Sequence, residues 1–128
     1  MLTMPTEPAA VAVARRTAEQ AYAGWGINPG HSVMGPALLV VSELVTNAVR
    51  HAAGVSPTVD VIYAAGAGVL AFAVHDRHPY QPDLIRLARP AGGLAMVVEV
   101  TAERGGTATV QSDADGGGKS VWITLPVQ

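Results

Sequence analysis

A two-layer α/β sandwich, in which a mostly antiparallel sheet is covered on one face by helices, is the fold this sequence predicts. Two segments, Pro8–Trp25 and Ser32–Ala53, carry apolar residues at helical spacing. Two pairs of short apolar segments, Pro57–Ala65 with Val69–Arg77 and Thr107–Ser112 with Ser120–Pro126, are each joined by a glycine-rich turn. Strands joined by so short a turn must run antiparallel, because parallel neighbours need a long crossover between them. The expected order is therefore helix, helix, strand, strand, helix, strand, strand, with the helices packed on one side of the sheet.

Each element has its own signal. In the first helix Val11, Ala14, Ala18, Tyr22 and Trp25 fall on one face, and Gly26 supplies the stop. The second helix begins with Ser32 as cap, tolerates Pro36 in its first turn and ends at Gly54. Its residues Leu38, Val41, Leu44, Val45 and Val49 form an apolar face for the sheet. On the other side Glu43, Asn47, Arg50 and His51 fall within an arc of about 100°, a stripe that faces either water or a ligand.

The first hairpin turns at Gly66 to Gly68. The polar, proline-rich stretch from His78 to Ala91 is long enough to act as a lid. A third helix follows between Gly92 and Gly105, with an apolar stripe of Leu94, Val97, Val98, Thr101 and Ala102. The second hairpin turns at Asp113 to Gly118, and Val121, Ile123 and Leu125 alternate to one face.

With 128 residues the chain forms one domain, 1–128, with one core and room for one site. Nearly half its residues are hydrophobic and 14% are charged, which excludes a disordered or fibrous chain. The net charge of −2 argues against direct binding of nucleic acid or of an anionic membrane. Without cysteine there is no disulfide framework, thiolate nucleophile or thiolate zinc site. Met1 to Ala10 lacks the basic and apolar regions of an export signal, and the expected location is the cytoplasm. The stretch Val61 to Val74 has 14 residues, short of the ~20 that cross a bilayer as a helix.

Three places could carry chemistry. Asp76 shares strand parity with Leu70, Phe72 and Val74, so its carboxylate points at the core and is either paired there or kept for a ligand. Gly92 and Gly93 open the third helix, where free N–H groups and the helix dipole favour an anion, although a glycine pair equally serves a loop. The polar stripe of the second helix is the third. Other motifs fail on spacing. The run Gly116 to Ser120 is not a Walker loop, because Asp113 stands where the first glycine belongs. His75 and His78 flank Asp76, but His75 lies on the opposite strand face and a third metal ligand is lacking.

Taken together, the segment from Val40 to His51 (VVSELVTNAVRH), the strand-ending Asp76 and the glycine-led helix at Gly92 resemble the nucleotide site of the GHKL ATPases. The motif SELVTNAVRH and the hairpin GGGKSVW resemble the anti-sigma-factor serine/threonine kinase branch of actinobacterial type. The resemblance implies a Bergerat-type ATP-binding fold and the cofactors ATP and Mg²⁺. It assigns Asn47 to magnesium, Glu43 to general-base catalysis, and Asp76 to the adenine amino group. Gly92, Gly93 and Leu94 would hold phosphates through backbone N–H groups, and the Ser120 hydroxyl would support Asp76.

The implied function is phosphorylation of an anti-anti-sigma (STAS-type) partner, binding of a sigma factor, or both, with a possible homodimer. Two departures point to an alternative. Asp76-Arg77-His78-Pro79-Tyr80 replaces Asp-x-Gly-x-Gly, and Ala91-Gly92-Gly93-Leu94 lacks an arginine between its glycines, a charge that Arg86 or Arg89 could replace. The alternative is a non-catalytic interaction module that sequesters a regulator.

Overall fold

The structure, a computed structural model, describes residues 1–78 and 93–127. Eight elements follow in order: β1 (Leu2–Pro5), α1 (Ala10–Gly24), α2 (Met34–Ala52), β2 (Thr58–Gly66), β3 (Val69–Asp76), α3 (Gly93–Glu103), β4 (Thr107–Ser112) and β5 (Lys119–Pro126). The five strands form one sheet in the order β1-β2-β3-β5-β4, and every neighbouring pair is antiparallel. The expected sandwich and both hairpins are present.

The strand β1 is a departure from the predicted order. It pairs along one edge of the sheet, Leu2 opposite Val61 and Met4 opposite Val59. Four residues offer only two inward positions, too few to show a period of two, and Pro5 is tolerated because the strand has a neighbour on one side only. What makes this segment a strand is an edge supplied more than fifty residues later.

Helix α2 also starts later than expected, because Ser32 does not cap it. The residue before the helix is Val33, and it makes no side-chain cap hydrogen bond. Instead the Val33 N–H donates to Nδ1 of His31 at 3.0 Å, while the Met34 N–H donates to the His31 carbonyl at 3.0 Å. The tight turn at His31 thus satisfies the first donors of the helix, and Ser32 is exposed, its hydroxyl accepting from Arg104 at 3.4 Å.

The three helices lie on one face of the sheet, with α2 in the middle, touching α1, α3, β2 and β3. Its residues Val40, Val41, Leu44 and Val45 are buried against Val59, Val61, Leu70, Phe72, Val121 and Ile123 of the sheet. Each such side chain contributes about 1.5–3 kcal/mol by leaving water, so this contact dominates the stability of the fold. Leu38 and Val49, also expected on this face, are half-buried at its margin. Two tyrosines fasten α1. The Tyr22 hydroxyl donates to the Ala71 carbonyl and the Tyr63 hydroxyl to the Ala14 carbonyl, both at 2.7 Å, and the two rings meet edge to face at 6.0 Å.

The β2–β3 turn places Ala67 at φ 40° and Gly68 at φ 79°, the pair of positive values that matches the natural twist of a two-residue hairpin. Among the described residues no helix is long and apolar enough to cross a membrane. The expected lid lies, from Pro79 onward, outside the described residues.

Candidate functional site

The polar stripe of α2 divides into two halves. Glu43 and Asn47, one turn apart, are half-buried, whereas Arg50 and His51 are exposed in the last turn. The outer half has an electrostatic explanation, since basic groups favour the negative end of a helix. The inner half does not. Among the described residues neither the Glu43 carboxylate nor the Asn47 carboxamide has a hydrogen-bond or ion-pair partner, so both oxygen groups are available to a ligand.

Asp76 is the last residue of β3 and is 5% exposed, on the same inner face as Leu70, Phe72 and Val74. Lys119, the first residue of β5, stands directly opposite it. Its ammonium group donates to Oδ1 at 2.9 Å and to Oδ2 at 3.0 Å, and the His78 N–H donates to Oδ1 at 2.9 Å. Lys119 is itself 8% exposed. Two buried charges are tolerated here because each neutralises the other at hydrogen-bonding distance, and removing either would leave an uncompensated charge. A carboxylate can accept about four hydrogen bonds, two on each oxygen. Oδ1 therefore has its capacity filled, while Oδ2 keeps one acceptor position.

Of the two alternatives for the inward carboxylate, the structure shows the paired one, with Lys119 as its partner. Ser120 was to support Asp76, but it stands opposite His75, on the other face of the sheet. The alternation of Val121, Ile123 and Leu125 carried the signal: continued one step toward the turn, it places Lys119 on the inner face and Ser120 on the outer. Gly118 lets the two strands close here. A Cβ on it would lie 2.6 Å from the Asp76 carbonyl oxygen and 2.5 Å from Oδ2 of Asp113.

On the outer face a second charged group forms around His75, which sequence reading considered only as a metal ligand. Nδ1 lies 3.1 Å from Oδ2 of Asp60, and Nε2 lies 3.0 and 2.9 Å from the two oxygens of Asp113. Burial works against a charged imidazole, but the hydrogen bonds and charges of Asp113 and Asp60 outweigh it and raise the His75 pKa above its ordinary value. Arg77 extends the network, donating to Asp113 at 2.7 Å and to Asp115 at 3.0 Å. Its own N–H donates to the buried Ser56 hydroxyl at 2.9 Å. The Arg77 side chain is thus turned toward the β4–β5 turn. Among the described residues no group of His, Asp and Glu is arranged to hold a metal ion.

Of the anticipated phosphate-binding residues, Gly92 lies outside the described residues, as do Arg86 and Arg89. Gly93 is the first residue of α3, and Leu94 is a core residue at 4% exposure. The donor set fits a magnesium nucleotide. A carboxamide oxygen at Asn47 suits a hard cation, and an inward carboxylate oxygen with one acceptor position left suits an amino group on a purine.

A family profile described as a histidine kinase-like ATPase domain matches residues 4–124. No curated protein matches the chain. Among solved structures, the histidine kinase domain of the blue-light activated histidine kinase from Erythrobacter litoralis EL346 is 26% identical, with a TM-score of 0.60 over 73% of this chain and 44% of that one. The mycobacterial sensor histidine kinase MprB is also 26% identical, with a TM-score of 0.52 over 70% of this chain and 71% of that one. Histidine kinase AdeS of Acinetobacter baumannii, 19% identical with a TM-score of 0.59 over 74% of this chain and 47% of that one, shares the fold. The chain thus spans less than half the length of two of these three proteins.

Proposed function

The chain belongs to the histidine kinase-like ATPase family, and on that premise we propose that it binds ATP with Mg²⁺ and serves as an anti-sigma factor that phosphorylates a serine or threonine on an STAS-type partner. The observation that carries this reading is the trio of Glu43, Asn47 and Asp76: two half-buried oxygen groups one turn apart on α2, and a buried carboxylate that retains one acceptor position. Asp76 takes the adenine amino group. Asn47 holds Mg²⁺, which when bound neutralises phosphate charge. Glu43 accepts the proton of the partner's hydroxyl as it attacks, a role open to a carboxylate without a competing cation. The N–H groups at the start of α3 face the phosphates.

Calorimetric titration with ATP, with and without Mg²⁺, tests the site, and incubation with labelled ATP and candidate STAS-type proteins tests the transfer. Magnesium-dependent heat that disappears in Asn47→Ala is the expected result. No heat at millimolar ATP would overturn the reading.

One observation favours a second reading. Asp76 is followed by Arg77 and His78 rather than by the family's first glycine, and it already carries an ion pair. A domain that keeps the fold, binds nucleotide weakly and sequesters a regulator by contact alone would show partner capture without phosphate transfer.

A further inference from the structure

We propose that β4 is an interaction edge that pairs antiparallel with β4 of a second copy of this chain, about a two-fold axis at Val110, so that two sheets join into one. The inference concerns the rim of the sheet and does not draw on the nucleotide site.

The two edges of the sheet are protected differently. β1 has four residues and ends in Pro5, whose nitrogen carries no proton to offer a further strand. β4 has six residues, Thr107-Ala108-Thr109-Val110-Gln111-Ser112, with neither a charge nor a proline among them. Its register with β5 is unbroken, so no bulge bends it away, and no described strand pairs with its other side. An edge of this kind is a template for another strand.

The alternation of hydrogen bonds tells which groups face outward. The Asp113 N–H donates to the Gly118 carbonyl at 3.0 Å and the Thr107 N–H to the Thr124 hydroxyl at 3.2 Å, so the odd-numbered residues of β4 turn their backbone toward β5. The N–H and C=O groups of Ala108, Val110 and Ser112 therefore point away from the sheet. An antiparallel neighbour must set outward residues opposite outward residues. With Val110 opposite Val110 of the second copy, Ala108 meets Ser112, and every one of these groups is satisfied. The same parity fixes the faces. Ala108 and Val110 pack at the margin of the core, so the inner faces of the two copies coincide and the two Val110 side chains cover each other. This self-complementary register selects a second copy as the occupant. Parallel pairing is disfavoured, because it would bring Asp113 and Asp115 of both copies together at one end, whereas the antiparallel direction sets them at opposite ends. One strand pair buries less than the ~1,200 Å² of a stable interface, so the dimer is weak, with a dissociation constant on the order of 100 μM.

The test is sedimentation equilibrium of the full chain from about 5 to about 500 μM, with amide hydrogen exchange followed at both ends of that range. The expected result is a monomer–dimer equilibrium in which exchange at Ala108, Val110 and Ser112 slows about fourfold at the higher concentration, the factor by which such a constant depletes the monomer. Thr109, already turned toward β5, should not change. T109K/Q111K alters two exposed positions and sets lysine directly opposite lysine of the second copy, which should weaken association about tenfold or more. A64K, an exposed position on the same face near the β2–β3 turn, should leave it unchanged. A monomer at every concentration would overturn the inference and leave the edge to a peptide or another chain. A dimer with unchanged exchange at the three amides would also overturn it, as would a dimer lost in A64K but kept in T109K/Q111K, the mark of sheets packed face to face.

Discussion

Lys119 Nζ lies 2.9 Å from Oδ1 and 3.0 Å from Oδ2 of Asp76, an ion pair that joins the first residue of β5 to the last residue of β3 beneath the helices. Breaking it from one side leaves a buried charge alone. Asp76→Leu is expected to destabilise the fold by about 3–5 kcal/mol, whereas Asp76→Leu combined with Lys119→Met costs far less than the two single changes added together. A double-mutant cycle in urea measures both. Additive losses would mean that the pair contributes no coupling.

Asn47→Ala separates binding from folding. The carboxamide is half-buried and has no partner among the described residues, so stability should change by only about 0.5 kcal/mol. The magnesium dependence of ATP binding should nevertheless disappear, as followed by calorimetry in the presence and absence of EDTA.

Glu43→Ala should bind Mg-ATP as the parent protein does and lose about 10²–10⁴ in phosphoryl transfer, the usual contribution of a general base. Transfer of labelled phosphate to an STAS-type substrate is the readout, and an unchanged rate would remove Glu43 from the chemistry.

Gly118→Ala tests the close approach of the β4–β5 turn to β3. Its Cβ would stand 2.6 Å from the Asp76 carbonyl oxygen and 2.5 Å from Oδ2 of Asp113, so backbone must move, at a cost of about 1–3 kcal/mol. Thermal unfolding should report the loss. Alanine at Gly54, where a Cβ meets nothing within 4 Å, should not show it.

The clamp at His75 makes stability depend on pH. Because Asp113 and Asp60 raise its pKa above the ordinary value despite burial, the charged form is bound more tightly in the folded chain than in the unfolded one. Its contribution is full below about pH 6.5, the unfolded value, and is lost as pH rises through the higher folded value. Melting temperatures between pH 6 and 9 should therefore fall for the parent relative to His75→Asn. Parallel curves would show that the imidazole is not charged in the clamp.

Local patterns made most of the architecture legible. The 3.6-residue spacing of Ala14, Ala18 and Tyr22 announces α1, and all three are buried; the alternation of Leu70, Phe72 and Val74 announces β3 and placed Asp76 on the inner face. Glu43 and Asn47 could be put on one helix stripe for the same reason. Strand β1 is not legible in this way, because four residues are too few to show a period. Ser32 is a cap by residue type alone, whereas the chain turns at His31 and uses its imidazole.

By itself, then, the sequence determined the class of the fold, the two hairpins, the inward direction of Asp76 and the family, because each rests on residues close together in the chain or on a motif read in one run. The tertiary structure decided the pairing of Asp76 with Lys119 and the placing of His75 between Asp60 and Asp113. These partners are 43, 15 and 38 residues apart in the chain. Periodicity tells which face of a strand a side chain occupies, but the residue it meets there is set by the register between strands, and register is a property of the assembled sheet.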